Sequence, residues 1–424
     1  MDGSHSVNTQ KYDDSSVDVA VVGGSLAGCA IAIHLSKMGY RVAVFEKKVM
    51  AEQSYKKLCT HFVQPHTVPL LAGLGLDHLC EPAWSVATKA VFITPGGVVE
   101  TPGSDYDPEQ PGSYALNLER RILDPAIRAA AQRQGVEYIE GTSVESLEED
   151  DSGWTLDTRS RNGSQLYRAR MVVGADGHRS RLARLLGNPT ESRPNERAAL
   201  FGYFTGIEAP EGNRSIFVMN DRDLACTYPL IDGRTELVLF AEKSRVESWH
   251  GPEGRLQEFL KYFDGLDQAP SVANAVPESP LLGYSDYPSQ LRQPVLGSVP
   301  FVGDAALSLD PMSGVGCGFA LLSADLLARS LADRSLGGAS FREAMDDYRQ
   351  RFESTVLPHV EGICGDSLVD KDQASRKRMF ETICESQELS QKYLALTGRM
   401  VLPEEFQRAF MRGLMTRGVG AVRK

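Results

Sequence analysis

The chain has 424 residues, a net charge of -11 at pH 7, 42% hydrophobic residues and 24% charged residues. That length exceeds one ordinary core and predicts two closely packed domains with a tail, and the composition is typical of a folded globular protein rather than a disordered or fibrous one. The acidic balance, without a clustered Lys/Arg run among aromatic residues, argues against nucleic-acid binding.

The N-terminal segment, residues 1–16, is polar, shows no secretory signal pattern and is predicted to be a disordered tail. An apolar stretch follows from Val19 to Leu35, but three glycines interrupt it. It is shorter than the roughly 20 apolar residues that a membrane span requires. We therefore expect a buried strand and helix here, and no membrane span.

The first predicted elements are a buried parallel strand at Asp18–Val22 and a helix at Ala27–Met38 that ends before Gly39. The sequence between them, Gly-Gly-Ser-Leu-Ala-Gly, is the dinucleotide-binding turn with Ser25 in the place of the second glycine. In this turn the first glycine permits the tight bend and the last permits close packing of helix and strand, while the helix N-terminus faces the phosphates.

A second strand, Arg41–Phe45, leads to Glu46, which lies 18 residues beyond Gly28. An acid at this distance is expected to accept hydrogen bonds from an adenosine ribose, and it disfavours a 2′-phosphate. Glycine-rich turns also occur for packing alone. Strand, turn, helix and acid together predict dinucleotide binding, but they do not distinguish FAD from NAD.

A basic loop from Lys56 to His66 precedes the next predicted helix and contains two histidines. His61 and His66 are candidate general bases, because an imidazole titrates near neutral pH. The alternative for each is a surface histidine or a hydrogen-bonded structural one.

Two further strand-to-turn junctions carry an Asp between small residues. Met171–Ser180 contains Gly-Ala-Asp-Gly and precedes a basic helix at Arg181–Leu186. Val299–Gly316 contains Gly-Asp-Ala-Ala and then Asp-Pro-Met-Ser-Gly-Val-Gly, followed by a helix at Phe319–Leu331. Asp176 could instead cap the helix that follows it, and the Asp of the second junction could be an ordinary turn residue.

The segments between residues 191 and 294 are short, aromatic and β-branched, and Gly, Pro, Asn and Asp separate them. This pattern predicts an antiparallel sheet. Residues 336–424 are predicted to be helical, to cap the substrate end or to mediate self-association.

The seven cysteines are odd in number, scattered and never spaced C-x-x-C. This argues against a disulfide framework and against a zinc or iron–sulfur site, so no metal is predicted. It is also typical of a reducing compartment, and we expect a cytoplasmic protein.

The three glycine-containing segments and Leu118–Asp124 resemble, in order, the fingerprints of the class A flavoprotein monooxygenases, the family of para-hydroxybenzoate hydroxylase. The resemblance implies an α/β fold: a Rossmann-like FAD-binding domain of the glutathione-reductase type, an inserted antiparallel-sheet substrate domain and a helical C-terminal region. It assigns residues 17–85, 115–190 and 295–335 to the FAD-binding domain, 86–114 and 191–294 to the substrate domain, and 336–424 to the helical region.

The resemblance also implies individual roles. It implies that Asp304 contacts the ribityl chain, that Asp176 contributes to FAD and nicotinamide binding, and that Arg120 meets the pyrophosphate. The residues predicted to bind FAD are Gly23, Ser25, Leu26, Ala27, Gly28, Glu46, Lys47, Lys57, Arg120, Val144, Asp176, Asp304, Pro311, Gly314, Val315 and Gly316. A sheet facing the flavin would form the roof of the substrate site, and its candidate wall residues are Tyr203, Phe217, Tyr228 and Pro229. Each of these four could instead be a core residue.

The activity that the resemblance implies is FAD-dependent monooxygenation, as a hydroxylase or epoxidase in secondary metabolism. FAD would stay tightly bound, NAD(P)H would bind transiently because a single nucleotide turn is present, and O₂ would react through a flavin C4a-hydroperoxide with a small aromatic or apolar, natural-product-like substrate. The protein would be a monomer or a homodimer. Leu307 and Gly318 stand where the family frequently has His and Asn, so the substrate class cannot be transferred from the aromatic hydroxylases.

Three alternatives remain open from the sequence. Lys57-Leu58-Cys59 weakly resembles a loop of the geranylgeranyl-reductase kind of flavoenzyme, which would make the protein a reductase or dehydrogenase. A flavin-dependent halogenase shares the FAD segments but typically carries Trp-x-Trp-x-Ile-Pro, which this chain lacks. A binding protein like the GDP-dissociation inhibitors would keep the fold without redox chemistry and would be colourless.

Overall fold

The computed structural model describes residues 16–49, 54–107, 109–369 and 372–421. The predicted disordered tail lies outside this range, except that Ser16 begins the first strand. The fold is of the predicted α/β class, with a Rossmann-like first sheet, a second sheet and a helical C-terminal region. The domain boundaries given above stay a prediction.

The first sheet has six strands. The first four in spatial order run parallel to one another, the fifth is antiparallel to the fourth, and the sixth is antiparallel to the fifth. Its strands are, in that order, Glu137–Glu140, Val42–Glu46, Ser16–Val22, Gly163–Gly174, Gly153–Ser160 and Ser143–Asp150. The central strands are fully apolar from Val19 to Val22 and from Val42 to Phe45, and they are buried because helices cover them. Their carboxyl ends lie at one edge of the sheet.

Three helices pack around this sheet: Leu26–Lys37, Arg120–Arg133 and Gly316–Leu331. The first begins one residue before the predicted position and ends one residue earlier. The third begins three residues earlier than Phe319, so its first turn contains glycine and cysteine rather than the predicted apolar start. Shorter helices lie at Leu70–Gly73, Arg181–Leu186 and Lys243–Glu247.

The second sheet has seven strands in a continuous order, with Leu282–Tyr284 pairing beside Arg197–Thr205. The order is Val276–Pro277, Arg197–Thr205, Thr235–Glu242, Asp223–Pro229, Ser215–Asn220, Ala90–Thr94 and Gly97–Val99. The prediction of an antiparallel sheet needs one correction, because Ser215–Asn220 and Ala90–Thr94 run parallel. These two strands come from distant parts of the chain, so no hairpin forces them to be antiparallel.

Helix Pro252–Asp264 covers one face of the second sheet, where Phe259 stacks with Phe204. An aromatic cluster lies on the other face. Three small sheets connect the two large ones. Their strands are Phe62–Val63, Ala115–Asn117 and Val86–Thr88; Thr190–Arg193, Ser289–Arg292 and Leu307–Ser308; and Val295–Leu296 with Val299–Pro300.

The C-terminal region is helical, as predicted. Its helices are Gly338–Thr355, Val360–Asp366, Gln373–Cys384, Gln387–Thr397 and Pro403–Ala421. Tyr348 of the first donates a hydrogen bond of 2.7 Å to the Phe301 carbonyl, which fixes this helix beside the last strand junction. Among the described residues, no helix combines the length and the hydropathy that crossing a bilayer requires.

Candidate cofactor and active site

A cavity of about 820 Å³ lies where the carboxyl ends of three parallel strands meet. Gly24–Ala27 follow the first strand, Glu46 ends the second, and Gly177 and His178 follow the third; all of them line the cavity. Loop 54–60, residues between 304 and 320, and Phe201 of the second sheet complete the lining. Ligands of open α/β sheets bind at such an edge.

The N-terminal turn is shaped by two glycines that do not themselves line the cavity. Gly23 has φ +107°, and a Cβ there would lie 2.4 Å from the Ala175 carbonyl oxygen. A Cβ on Gly28 would lie 1.8 Å from the Gly23 carbonyl oxygen. Both positions therefore exclude a side chain, as the motif predicts. Ser25, Leu26 and Ala27 face the cavity.

Glu46 lines the cavity and accepts hydrogen bonds from the backbone N–H groups of Gly24 (2.9 Å) and Lys48 (3.0 Å). The sequence prediction missed Gly24, whose N–H orients this carboxylate. Lys47 and Lys48 are both exposed, and of the two only Lys48 lines the cavity. The FAD-binding role of Lys47 stays a prediction.

Arg120 is almost fully buried, and its guanidinium group donates to both carboxylate oxygens of Asp124, at 2.5 and 3.1 Å. It also reaches Ser25 Oγ at 3.5 Å and Cys317 Sγ at 3.7 Å. The neighbouring Arg121 is instead partly exposed and pairs with Glu119. Because the helix starts at Arg120, one of the two consecutive arginines faces inward and the other faces solvent.

Asp176 does not line the cavity, and the role predicted for it in FAD and nicotinamide binding stays a prediction. Its carboxylate accepts hydrogen bonds from Ser180 Oγ and from the backbone N–H groups of Arg181 and Leu182, at 2.5, 2.6 and 2.9 Å. This is the capping role that the sequence left open, at the start of helix Arg181–Leu186.

His178 lies in the cavity wall and was missed by the sequence analysis. Its Nδ1 lies 3.0 Å from Ser308 Oγ, and its ring stacks on Tyr287 with the centroids 4.6 Å apart. Burial lowers the pKa of His178 below its ordinary value. The sequence placed a histidine directly after the Asp-Gly pair, which was the available signal.

The segment from Asp304 to Gly316 forms the opposite wall. The Asp304 carboxylate lies 3.5 Å from the ammonium group of Lys56 in loop 54–60. Gly314 has φ +64°, and a Cβ there would approach Gln64 Nε2 at 3.3 Å. Helix Gly316–Leu331 begins at the cavity, and no side chain caps its N-terminus. Its free N–H groups therefore give this wall a partial positive charge.

The predicted site residues divide into two groups. Those that line the cavity are Ser25, Leu26, Ala27, Glu46, Lys57, Arg120, Asp304, Pro311, Gly314, Val315 and Gly316. Those that do not are Gly23, Gly28, Lys47, His61, His66, Val144, Asp176, Tyr203, Phe217, Tyr228 and Pro229. Val144 is buried in a strand of the first sheet, where it pairs with Thr158.

His61 is buried, with φ +53°, and both of its ring nitrogens are hydrogen-bonded. Nδ1 accepts from the backbone N–H of Arg120 at 3.1 Å, and Nε2 lies 2.7 Å from the Tyr203 hydroxyl. Since Nδ1 accepts, the neutral ring carries its proton on Nε2 and donates it to Tyr203. This geometry favours the structural alternative for His61. His66 is half-buried away from the cavity, and burial lowers its pKa.

Glu236 is the cross-strand neighbour of Tyr203 and is fully buried. Neither of its carboxyl oxygens has a partner in hydrogen-bond geometry within the described part of the chain. Burial raises the pKa of Glu236 well above its ordinary value, which favours the neutral form of this acid. The sequence prediction did not single out this acid, although it directly precedes the apolar run of residues 237–241.

The predicted substrate-wall residues do not line the cavity, and Phe217 and Tyr228 pack against a residue that does. The rings of Phe217 and Tyr228 each pack 5.8 Å from the ring of Phe62, which itself lines the cavity. The Pro229 carbonyl accepts a hydrogen bond from Asn117. The aromatic and aliphatic wall is formed instead by Phe62, Phe201, Tyr284, Tyr287, Leu307 and Leu309.

Residues 16–207 match the family model described as an FAD binding domain. The solved structure of p-nitrophenol 4-monooxygenase from Pseudomonas putida superposes with a TM-score of 0.72 at 19% identity, covering 92% of this chain and 99% of that one. The chain thus contains an FAD-binding domain and has the fold of a flavoprotein monooxygenase. With this domain and relatives that include monooxygenases, it is an FAD-dependent oxidoreductase enzyme.

Curated relatives of this flavoprotein have different names. It is 26% identical to conditioned medium factor receptor 1 of Dictyostelium discoideum, over 80% of this chain and 69% of the relative. It is 28% identical to digeranylgeranylglycerophospholipid reductase 1 of Methanothermobacter thermautotrophicus, over 71% and 73%. It is also 28% identical to rifampicin monooxygenase of Streptomyces venezuelae, over 74% and 64%. These names describe a receptor, a reductase and a monooxygenase, so the relatives do not agree on one reaction.

Proposed function

We propose that this flavoprotein is a monooxygenase, a hydroxylase or epoxidase, that uses NAD(P)H and O₂ to oxidise a small aromatic or apolar substrate. The observation that carries the proposal is the make-up of one continuous cavity. Its phosphate end consists of Gly24–Ala27 and Glu46, and its other end combines the uncapped helix start at Gly316 with aromatic walls. Such a cavity suits a long cofactor followed by an apolar substrate.

The residues present fit FAD. Glycines shape the turn where any Cβ would collide with backbone, and a buried arginine faces the same turn. FAD, when bound, supplies two-electron redox chemistry and reaction with O₂. We infer that Ser25 and Arg120 hold the phosphates, that Glu46 binds the ribose, and that Asp304 binds the ribityl chain. The N–H groups of the helix at Gly316 would stabilise negative charge on the ring.

The remaining wall residues would orient the substrate and exclude water. Phe201 and Tyr284 come from the second sheet, and Leu307 stands where the family frequently has His. An aliphatic side chain there favours an apolar ligand surface over a hydrogen-bonded phenolate. The Tyr284 hydroxyl has no hydrogen-bond partner within the described residues, and it is available to a substrate oxygen.

The test is oxygen incorporation. The purified yellow protein, supplied with NADH or NADPH and ¹⁸O₂, is screened against aromatic and polyketide-like substrates by mass spectrometry. The proposal requires a product that carries one ¹⁸O atom and NAD(P)H oxidation that the substrate accelerates. A protein that neither contains nor takes up FAD would contradict it.

The reductase named among the relatives is the second candidate, because its similarity extends over most of both chains. An anaerobic assay separates the two functions. A reductase saturates a substrate double bond without O₂ and adds two hydrogens, whereas the proposed monooxygenase forms no product in the absence of O₂.

A further inference from the structure

Two cysteine side chains face each other inside the cofactor cavity. The Sγ atoms of Cys59 and Cys317 lie 3.7 Å apart, although the residues are 258 positions apart in the sequence. Cys59 is half-buried in loop 54–60, and Cys317 is buried in the first turn of helix Gly316–Leu331. Both line the cavity. The fold therefore brings a thiol pair to the junction of two cavity walls.

The surroundings of the pair make its two members unequal. The backbone N–H of His61 donates to Cys59 Sγ at 3.4 Å, and Arg120 Nη1 lies 3.7 Å from Cys317 Sγ. The hydrogen bond from Cys317, supported by His61 and Arg120, holds the pKa of Cys59 well below its ordinary value, whereas that of Cys317 is raised. The lowered pKa favours the thiolate form of Cys59 over that of Cys317, so Cys59 is the better nucleophile of the pair.

The other cysteines lack this setting. Burial raises the pKa of Cys226 to about 12, and it also raises the pKa values of Cys80 and Cys384, which are half-buried. Reactivity toward oxidants follows the thiolate fraction and exposure, so these residues provide internal comparisons.

We propose that Cys59 and Cys317 form an oxidative modification site, at which hydrogen peroxide closes a disulfide across the cofactor cavity. The Cys59 thiolate attacks one peroxide oxygen, the O–O bond breaks, and the released hydroxide takes up a proton to form water. The Cys317 sulfur then attacks the Cys59 sulfenic acid; the S–O bond breaks, and the leaving oxygen departs with the Cys317 proton as a second water. Two thiols and one peroxide give one disulfide and two waters.

Formation of the disulfide requires a modest movement of the two sulfurs and would change the mobility of loop 54–60. The sulfurs must approach from 3.7 Å to about 2.05 Å, which rotation of the two side chains and a shift of the exposed loop can supply. The bond would tie loop 54–60 to the start of the helix and remove the thiolate near Arg120. It is reversible by thiols, in contrast to oxidation of a lone cysteine beyond the sulfenic acid to the sulfinic or sulfonic acid. The proposal does not depend on which reaction the enzyme catalyses.

The experiment uses the full chain, with and without bound FAD, reduced with dithiothreitol, desalted and then treated with stoichiometric hydrogen peroxide. Intact mass, thiol titration and peptide mapping without reduction are the readouts. We expect the titre of seven thiols to fall by two, the mass to fall by about 2 Da, and one peptide pair to contain both cysteines. Dithiothreitol should restore the starting mass.

Two variants and a matched control extend the test. Cys59→Ser should abolish the fast oxidation, and Cys317→Ser should leave Cys59 to stop at the sulfenic acid, trapped by dimedone. Cys384→Ser should behave as wild type. The proposal is overturned if the wild-type pair stays reduced under peroxide in folded protein, or if Cys80 and Cys384 oxidise as fast as Cys59.

Discussion

The two ends of the cofactor cavity are built in different ways. At the phosphate end, main-chain geometry determines the shape of the cavity. Gly23 and Gly28 admit no side chain, and the Gly24 N–H donates a hydrogen bond to the Glu46 carboxylate. At the ring end, which is the part of the cavity lined by Tyr284, Pro311 and Gly316, side chains from distant segments meet. The ring of His178, for example, stacks on that of Tyr287 with the centroids 4.6 Å apart. The first end depends on shape and is encoded in a short stretch. The second depends on buried polar groups and long-range packing.

The two ends of the cavity also differ in their buried polar groups. Around the ring end, three side chains carry buried polar atoms that lack hydrogen-bond partners among the described residues. These atoms are both carboxyl oxygens of Glu236, the hydroxyl of Tyr284 and one carboxyl oxygen of Asp310. Unsatisfied buried polar groups are rare and cluster at functional sites. We therefore expect changes at the phosphate end to abolish cofactor binding, and changes at the ring end to alter pH dependence and reactivity.

Arg120 joins the two ends, and its removal should have the largest effect. Arg120→Ala leaves the buried Asp124 carboxylate without its cation, which costs about 3–5 kcal/mol of unfolding free energy. Urea unfolding of the FAD-free protein measures this.

The double variant Arg120→Ala/Asp124→Ala is the control. It should recover part of the loss, because no buried charge remains. If the double variant is instead less stable than the wild type by the sum of the two single effects, the pair is not coupled, and Arg120 does not link the two ends in the way described.

Gly28→Ala tests the phosphate end alone. The new Cβ would collide with the Gly23 carbonyl oxygen at 1.8 Å, and overpacking of this kind costs about 1–3 kcal/mol. FAD affinity, measured by fluorescence titration of the FAD-free protein, should fall by about tenfold or more.

Gly254→Ala is the matched control, since a Cβ there meets no atom within 4 Å in helix Pro252–Asp264. It should leave FAD binding unchanged and stabilise the helix by up to about 1 kcal/mol. Equal affinities for Gly28→Ala and wild type would refute the shape argument.

The same contrast explains what the sequence could predict. The strand, turn and helix around Gly23–Gly28, and Glu46 beyond them, follow from local spacing, because backbone geometry there is set by neighbours in the chain. The loop from Pro311 to Gly316 could be predicted for the same reason. Spacing alone could not decide which of the adjacent residues Lys47 and Lys48 lines the cavity.

The ring end could not be derived in this way. That Glu236 lies opposite Tyr203 depends on the register of two strands, and that Cys317 meets Cys59 depends on how a helix docks against a loop. Neither relation leaves a local pattern in the sequence. The predicted wall residues Phe217 and Tyr228 lie in the right sheet, but Phe62, from another segment, separates them from the cavity.

Glu236→Gln tests the ring end through pH dependence. Burial, reinforced by the negative charges of Cys59 and Glu119, raises the pKa of Glu236 well above 4.5. The native state then keeps a proton that the unfolded state releases. The stabilising contribution is therefore complete below pH 4.5 and is lost as the pH rises through the native pKa.

Glutamine mimics the neutral acid and does not titrate. The unfolding free energies of the wild type and Glu236→Gln should be similar near pH 5 and then diverge by about 1.4 kcal/mol per pH unit, with the wild type less stable. Glu208→Gln, at an exposed position, should keep the wild-type slope. Parallel curves for wild type and Glu236→Gln would mean that the carboxyl is ionised in the folded protein.

Lys56→Met should have the smallest effect of these variants on FAD affinity. Lys56 pairs with Asp304 at 3.5 Å, but its side chain is 47% exposed, so solvent screens the pair. Its loss should change FAD affinity by less than about fivefold, corresponding to under about 1 kcal/mol, and the change should shrink further at high salt. Lys57→Met, in the same loop and also at the cavity, is the matched control. A loss of affinity far beyond this for Lys56→Met alone, insensitive to salt, would show that an exposed charge governs the ring end. The buried polar groups would then contribute less to FAD binding at that end than this exposed charge does. The contrast between a phosphate end set by backbone shape and a ring end set by buried polar groups would no longer hold.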